Sequence, residues 1–172
     1  MRVREALSVF TGVVVVALAT ATMGAQATGG SGDNPDVVEV RHYALTLDKA
    51  QKVGAAMQSI NKLIAANPSL SAALQVSSNT SASETITQQA HDIDSKYPQI
   101  ATIIHANGLQ TREFIVVIGA LINDVGFVGM KKQGMISAYP PDSITPANAA
   151  LVEANWDAFQ AIAAEMSPPN SN

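Results

Sequence analysis

The sequence predicts an all-α fold: an irregular bundle of roughly four or five helices around a central buried helix, about 111–133, with an extended N-terminal arm. Three observations carry this. Apolar residues recur at helical spacing, as in Val53, Met57, Ile60 and Ile64. Stop and start signals (Asn67-Pro68, Tyr97-Pro98, Gly108, Gly134, Thr145-Pro146) punctuate the chain at helix-length intervals. Hydrophobic residues make up 47% of the chain and charged ones 14%, with aromatics at 5%, so Ala, Val, Ile and Leu must fill a closely packed core. At 172 residues there is material for one ordinary domain.

The first 27 residues read as a secretory signal. Arg2 and Arg4 make a positive start, an apolar run follows from about Ala6 to Ala19, and Ala25-Gln26-Ala27 fits the small-x-small cleavage rule. Cleavage places the mature start near Thr28. The alternative is an uncleaved anchor over 6–25. Residues 28–36, "TGGSGDNPD", form a flexible lead-in, and "VVEVRHYAL" over 37–45 alternates weakly, which predicts an extended arm laid on the helices. The helical domain is then 46–166, with a mobile tail over 167–172.

Within that domain, Thr46 is placed to cap the first helix, with Asp48 in its first turn, and Asn67-Pro68 ends it and starts a short one to about Leu74. "QVSSNTSAS", 75–83, reads as a polar loop, and its Asn79-Thr80-Ser81 as a chance match to a glycosylation acceptor. The next helix is expected from about Ser83 to Lys96 with a narrow stripe of Ile86, Ala90 and Ile93, and Pro98 opens another through His105. Gly108 suits a left-handed cap with Leu109 folding back on Ile104. Thr111 is expected to cap the central helix, which Gly134 stops. After the proline-broken connection 135–144, Thr145 and Pro146 start a single last helix to about Met166.

The run "FIVVIGALI", 114–122, is apolar all round. Asn123 and Asp124 interrupt it well short of the roughly 20 residues a bilayer requires, so it reads as the centre of a bundle. Gly119, Gly126 and Gly129 each weaken a helix by about 1 kcal/mol against Ala, and close approach by neighbouring helices is the expected compensation. At helical pitch Arg112, Val116, Gly119, Asn123 and Gly126 share one stripe, and Glu113, Val117, Ala120, Asp124 and Val128 the adjacent one.

Composition removes several function classes. Without cysteine there is no disulfide framework, thiolate metal site or cysteine nucleophile. A net charge of −4 with scattered basic residues argues against nucleic-acid binding. The familiar nucleophile-elbow, phosphate-loop, dinucleotide and zinc-protease patterns are missing, and neither a metal nor a cofactor is expected. His91 with Asp94 shares a helix face but lacks a second ligand pair, and His105 sits where a helix C-terminus favours a cation. The polar residues that call for an explanation are Arg112, Glu113 and Asn123 on the central helix and Asn148 and Asn155 on the last one. Asparagine on a core-facing stripe must find partners, so these side chains are expected either to satisfy one another across two helices or to line a ligand pocket between them.

The blocks "YALTLDK" (43–49), "NGLQTREFIVV" (107–117) and "SITPANAALVEAN" (143–155) resemble a family of small exported bacterial helical proteins with no assigned chemistry. The resemblance implies an all-helical exported domain, covers much of the mature chain, and carries over no catalytic residue. The function expected is therefore a non-catalytic domain, periplasmic or secreted, that binds a protein or small ligand and meets the membrane only through its export signal. The alternatives are an envelope hydrolase or lyase using Arg112, Glu113 and a histidine, and a membrane-anchored structural factor.

Overall fold

The computed structural model describes residues 34–78 and 84–166. The expected export signal over 1–27, most of the lead-in, the Asn79-Thr80-Ser81 sequence and the tail lie outside the described residues. Among those described there are eight helices and no strand: α1 (Pro35–His42), α2 (Leu47–Ala66), α3 (Pro68–Ser78), α4 (Ile86–Lys96), α5 (Pro98–Ala106), α6 (Thr111–Lys132), α7 (Pro146–Ala154) and α8 (Trp156–Met166).

The local signals account for most of the boundaries. Thr46 Oγ1 accepts from Lys49 N–H at 3.2 Å and Thr145 Oγ1 from Asn148 N–H at 3.2 Å, each supplying one orphan donor of a first turn. Gly108 has φ +74°, with Gly108 N–H donating to His105 C=O and Leu109 N–H to Ile104 C=O. That pair of bonds is the glycine-terminated helix end expected of "ANGL", and Leu109 and Ile104 are both buried against it. Gly134, at φ +71°, ends α6 the same way, through Met135 N–H to Met130 C=O.

Other boundaries differ from expectation. Segment 37–45 is not an extended arm: Pro35 to His42 form α1, and only the stretch after it is extended. Asn34 Oδ1 accepts from Asp36 N–H at 3.0 Å and Pro35 occupies the first helical position, a start signal that the β-branched Val37, Val38 and Val40 mask. Helix α3 continues to Ser78 rather than stopping near Leu74, since no glycine or proline interrupts it. Helix α4 begins at Ile86, not Ser83, because Thr85 and Gln88 form a reciprocal capping box. Thr111 does not cap α6. It is the first helical residue, and its hydroxyl donates to Asp94 Oδ1 and lies 3.3 Å from His105 Nε2. The last helix is two. Asn155 takes φ −119° and ψ 31° between α7 and α8, and its side-chain Nδ2 donates to Leu151 C=O at 2.9 Å. An asparagine that bonds its own preceding turn offers the backbone an alternative to continuing the helix.

Helix α6 occupies the middle. Its residues from Phe114 to Leu121 are all buried, and α1, α2, α4, α5, α7 and α8 all pack on it. It is long and apolar enough to cross a membrane by length and composition, but 67% of its most apolar window is buried within the protein. Two of its glycines serve close approach. A Cβ on Gly119 would meet Val40 Cγ1 of α1 at 3.0 Å, and one on Gly129 would meet the Trp156 ring of α8 at 3.3 Å. Gly126 departs from the expectation: a Cβ there meets nothing within 4 Å.

Candidate functional site

The five polar residues singled out in the sequence separate into four settings. Arg112 is exposed at the start of α6. It holds Glu39 of α1 through two guanidinium nitrogens, at 2.6 and 2.5 Å, and its Nε reaches Thr87 Oγ1 at 3.3 Å. The expected link to the asparagines fails because a carboxylate on α1 lies nearer and matches the guanidinium fork. The Arg112 partnership holds the Glu39 carboxyl below the ordinary range. Glu113 faces another way, pairing with Lys49 Nζ at 2.7 Å and accepting from Tyr43 Oη at 3.2 Å. Lys49 lowers the Glu113 pKa, while burial beside that carboxylate pushes the Tyr43 phenol up to about 12. Arg112, Glu113 and His105 thus each hold a different partner. The Asn155 side chain bonds only the carbonyl of Leu151 in its own preceding turn.

Asn123 and Asn148 do meet, through a residue the sequence reading placed on its stripe without singling out. Asp124 is fully buried, at 0% exposure. Asn123 Nδ2 donates to Asp124 Oδ1 at 3.0 Å and to Ser143 C=O at 2.7 Å. Asn148 Nδ2 donates to Asp124 Oδ2 at 2.8 Å and to Tyr43 C=O at 2.8 Å, while its Oδ1 accepts from Leu45 N–H at 3.2 Å. The network thus ties α6 to the linker after α1, to the connection before α7, and to α7 itself. Among the described residues the one buried side-chain atom without a partner is Gln89 Oε1, elsewhere in the fold. Burial raises the Asp124 pKa to about 6, against the two amide bonds that favour its ionised form. A signal for Asp124 was present in the sequence: Val117, Ala120 and Val128 on its stripe are apolar, and Glu113, the other acid there, stands in the first turn of α6.

The chain segments gathered by this network also form a surface groove of about 640 Å³. Its floor and walls come from Arg41 and His42 at the end of α1, from Tyr139 to Asp142 in the connection, and from the first two turns of α7, with Lys131 and Glu153 at one side. Lys131 Nζ lies 2.8 Å from Glu153 Oε1 and 4.5 Å from the centre of the Tyr139 ring, and Tyr139 Oη donates to the same Glu153 oxygen at 2.6 Å. Lys131 and Tyr139 hold the Glu153 carboxyl low. The chain turns at Pro140–Ser143, where Ser143 N–H and Oγ both donate to Pro140 C=O. Asp142 takes a left-handed φ of 56° in that turn, a conformation that Asp tolerates better than most residues. The residues alternate in role: Tyr43, Leu45, Ser143 and Asn148 serve the buried network, and their chain neighbours Arg41, His42, Asp142, Ile144 and Ala149 line the groove.

No group of three or more His, Asp or Glu side chains among the described residues is placed to hold a metal ion. His91 is exposed, and the Asp94 carboxylate is engaged by Thr111. No protein-family model, curated protein or solved structure matches the chain.

Proposed function

We propose that this chain is a non-catalytic binding domain exported to the bacterial cell envelope, and that the groove beside α7 receives a protein segment or small ligand. The observation that carries the reading is the pairing of an open groove with anchored walls. Its volume of about 640 Å³ is within the range of roughly 300–1,000 Å³ common for ligand clefts. Its lining mixes proline and alanine surface with both signs of charge and one aromatic ring, which suits recognition of a mixed polar and apolar partner. The walls belong to segments held on α6 by buried hydrogen bonds, so little ordering is left for binding to cost. An irregular bundle organised around α6 is the scaffold of this reading. Export rests on the sequence of residues 1–27 and on the resemblance to small exported bacterial proteins.

The test is site-specific photo-crosslinking in bacterial cells that export the full chain. A photoreactive residue at Ala150, exposed and lining the groove, is compared with one at Gln51, exposed on α2. The reading expects a discrete adduct from position 150 and none from position 51. Equal adducts from both positions, or none from the groove, contradict it.

A further inference from the structure

Three contacts that seat α1 fall on one stripe of it, at Asp36, Glu39 and Val40, the i, i+3, i+4 pattern of a peptide helix laid on a surface. Asp36 Oδ2 accepts from Ile86 N–H at 2.9 Å, in the first turn of α4, where the positive helix end favours a carboxylate. Glu39 meets the Arg112 guanidinium with both oxygens. Val40 rests on the bare backbone of Gly119, its Cβ 3.7 Å from where a Cβ on Gly119 would stand. The seat is shallow. Val40 is the one residue of α1 that is buried, and both side chains of the Glu39–Arg112 pair are over a third exposed. Eight residues are too few to stay helical in water without support. The chain after α1 is held separately: Tyr43 C=O and Leu45 N–H bond to Asn148 of α7, and Leu45 is buried. Tyr43 itself is extended, at φ −60° and ψ 126°. Helix α1 can therefore leave its seat while the linker stays on its anchor. Arg41 and His42, in the last turn of α1, line the groove.

We propose that α1 is a releasable strap: it opens as a unit while α2 to α8 stay folded, its two carboxylates set how often it opens, and its release takes away the helical backbone that fixes Arg41 and His42 in the groove wall. Opening gives up the burial of one valine and contacts made at the surface, whereas unfolding α6 exposes the whole run from Phe114 to Leu121. The pivot is the junction of His42 and Tyr43, because Asn148 grips the chain from Tyr43 onward. Neutralising Asp36 or Glu39, or screening them with salt, shifts the balance toward the open form. The α7 wall and the connection before it stay in place, since Asn148 remains bonded to Asp124 and Ser143 C=O to Asn123, both on α6. The strap requires no ligand in the groove, so it stands or falls apart from the binding reading.

The experiment is amide hydrogen exchange on the full chain, corrected for intrinsic rates and read at Val40 and Arg41 in α1, Leu45 in the linker and Val117 in the middle of α6. Two variants accompany the wild type. Glu39→Gln removes the charge that faces Arg112. Val40→Cys with Gly119→Cys locks the strap: the chain has no cysteine of its own, and the 3.7 Å Cβ separation suits a disulfide, whose Cβ atoms stand about 3.5–4.5 Å apart. In the wild type, Val40 and Arg41 are expected to exchange at least about 10-fold faster than Val117. Glu39→Gln should quicken both by a further factor of about 2 to 5 at low salt and less at high salt, the size of a surface ion pair, with Leu45 and Val117 unchanged. Oxidising the cysteine pair should slow exchange at Arg41 by at least about 10-fold. Smaller separation between α1 and Val117 overturns the proposal, because α1 then opens only with the whole domain. A Glu39→Gln effect that is absent, or equal at all four amides, also overturns it, as does an oxidised lock that leaves Arg41 unchanged. If the cysteine pair does not fold or oxidise, wild type and Glu39→Gln decide alone.

Discussion

Asn148 Nδ2 lies 2.8 Å from Asp124 Oδ2, joining the first turn of α7 to the buried middle of α6. The same amide reaches Tyr43 C=O and Leu45 N–H, so one side chain secures a helix and the linker that follows α1. Replacing it leaves a buried carboxylate oxygen, a carbonyl and an N–H without that partner. Asn148→Ala is expected to destabilise the fold by about 3–5 kcal/mol, because stranding a buried charge costs more than losing an ordinary hydrogen bond. Asn155→Ala, which removes only a bond within its own turn, is expected to change stability by less than about 1 kcal/mol. Urea unfolding of the two variants checks the contrast, and similar losses for both would sink it.

The titration of Asp124 has a signed consequence for global stability. Its folded pKa, about 6, stands above the ordinary 3.8, so the native state binds the proton more tightly than the unfolded chain. Its contribution is most favourable below 3.8, declines as pH rises from 3.8 to 6, and is least favourable above. The span corresponds to about 3 kcal/mol. Glu39 and Glu113, whose pKa values are lowered, act in the opposite sense and lose their contribution as pH falls below 4.5. Comparing wild type with Asp124→Asn isolates the buried group: the variant should gain on the wild type by about 2 kcal/mol between pH 4 and pH 7. A stability difference that stays constant with pH would contradict the assignment.

The glycines should not behave alike. Gly119→Ala places a methyl group about 3.0 Å from Val40 and is expected to destabilise by about 1–3 kcal/mol. Gly126→Ala enters open space on a helix and should stabilise by up to about 1 kcal/mol. Gly108→Ala meets no neighbour, but φ +74° strains an L residue by about 1–2 kcal/mol. Thermal unfolding of the three variants should give opposite signs for Gly126 and the other two.

Arg112 and Glu39 form a two-pronged pair with both side chains over a third exposed. Solvent screening keeps such a pair to about 0.5–1 kcal/mol, and Arg112→Ala should cost no more than that at low salt and less in high salt. A loss several times larger, or one insensitive to salt, would show that the contact anchors α1 more strongly than its exposure implies.

What could be read from the sequence was local. Thr46, Gly108, Gly134 and Thr145-Pro146 act within one turn of chain, and their chemistry places helix ends without knowledge of the rest. Helix α1 was hidden because its valines fit a strand as readily as a helix, and what favours the helix includes the seat Val40 finds against Gly119. The split at Asn155 was hidden because an asparagine can either continue a helix or bond its own preceding turn. In the site, Asn123 and Asn148 stood out as polar residues on apolar stripes, and they do share a network. Arg112 and Asn155 were grouped with them by helical phase alone. Phase does not reveal that Glu39 stands beside Arg112, and the partnership of Tyr43, Leu45 and Ser143 with the asparagines depends on contacts between distant parts of the chain.

The most direct test of the anchored-wall account is hydrogen exchange at Leu45 in Asn148→Ala, measured beside amides in the middle of α6 such as Val117. The account predicts that Leu45 exchange quickens at least about 10-fold more than Val117 exchange, since one lost hydrogen bond of about 1.4 kcal/mol or more acts locally on the linker. If Leu45 and Val117 quicken by the same factor, or Leu45 does not change, the linker is held by something other than Asn148 and the account is wrong.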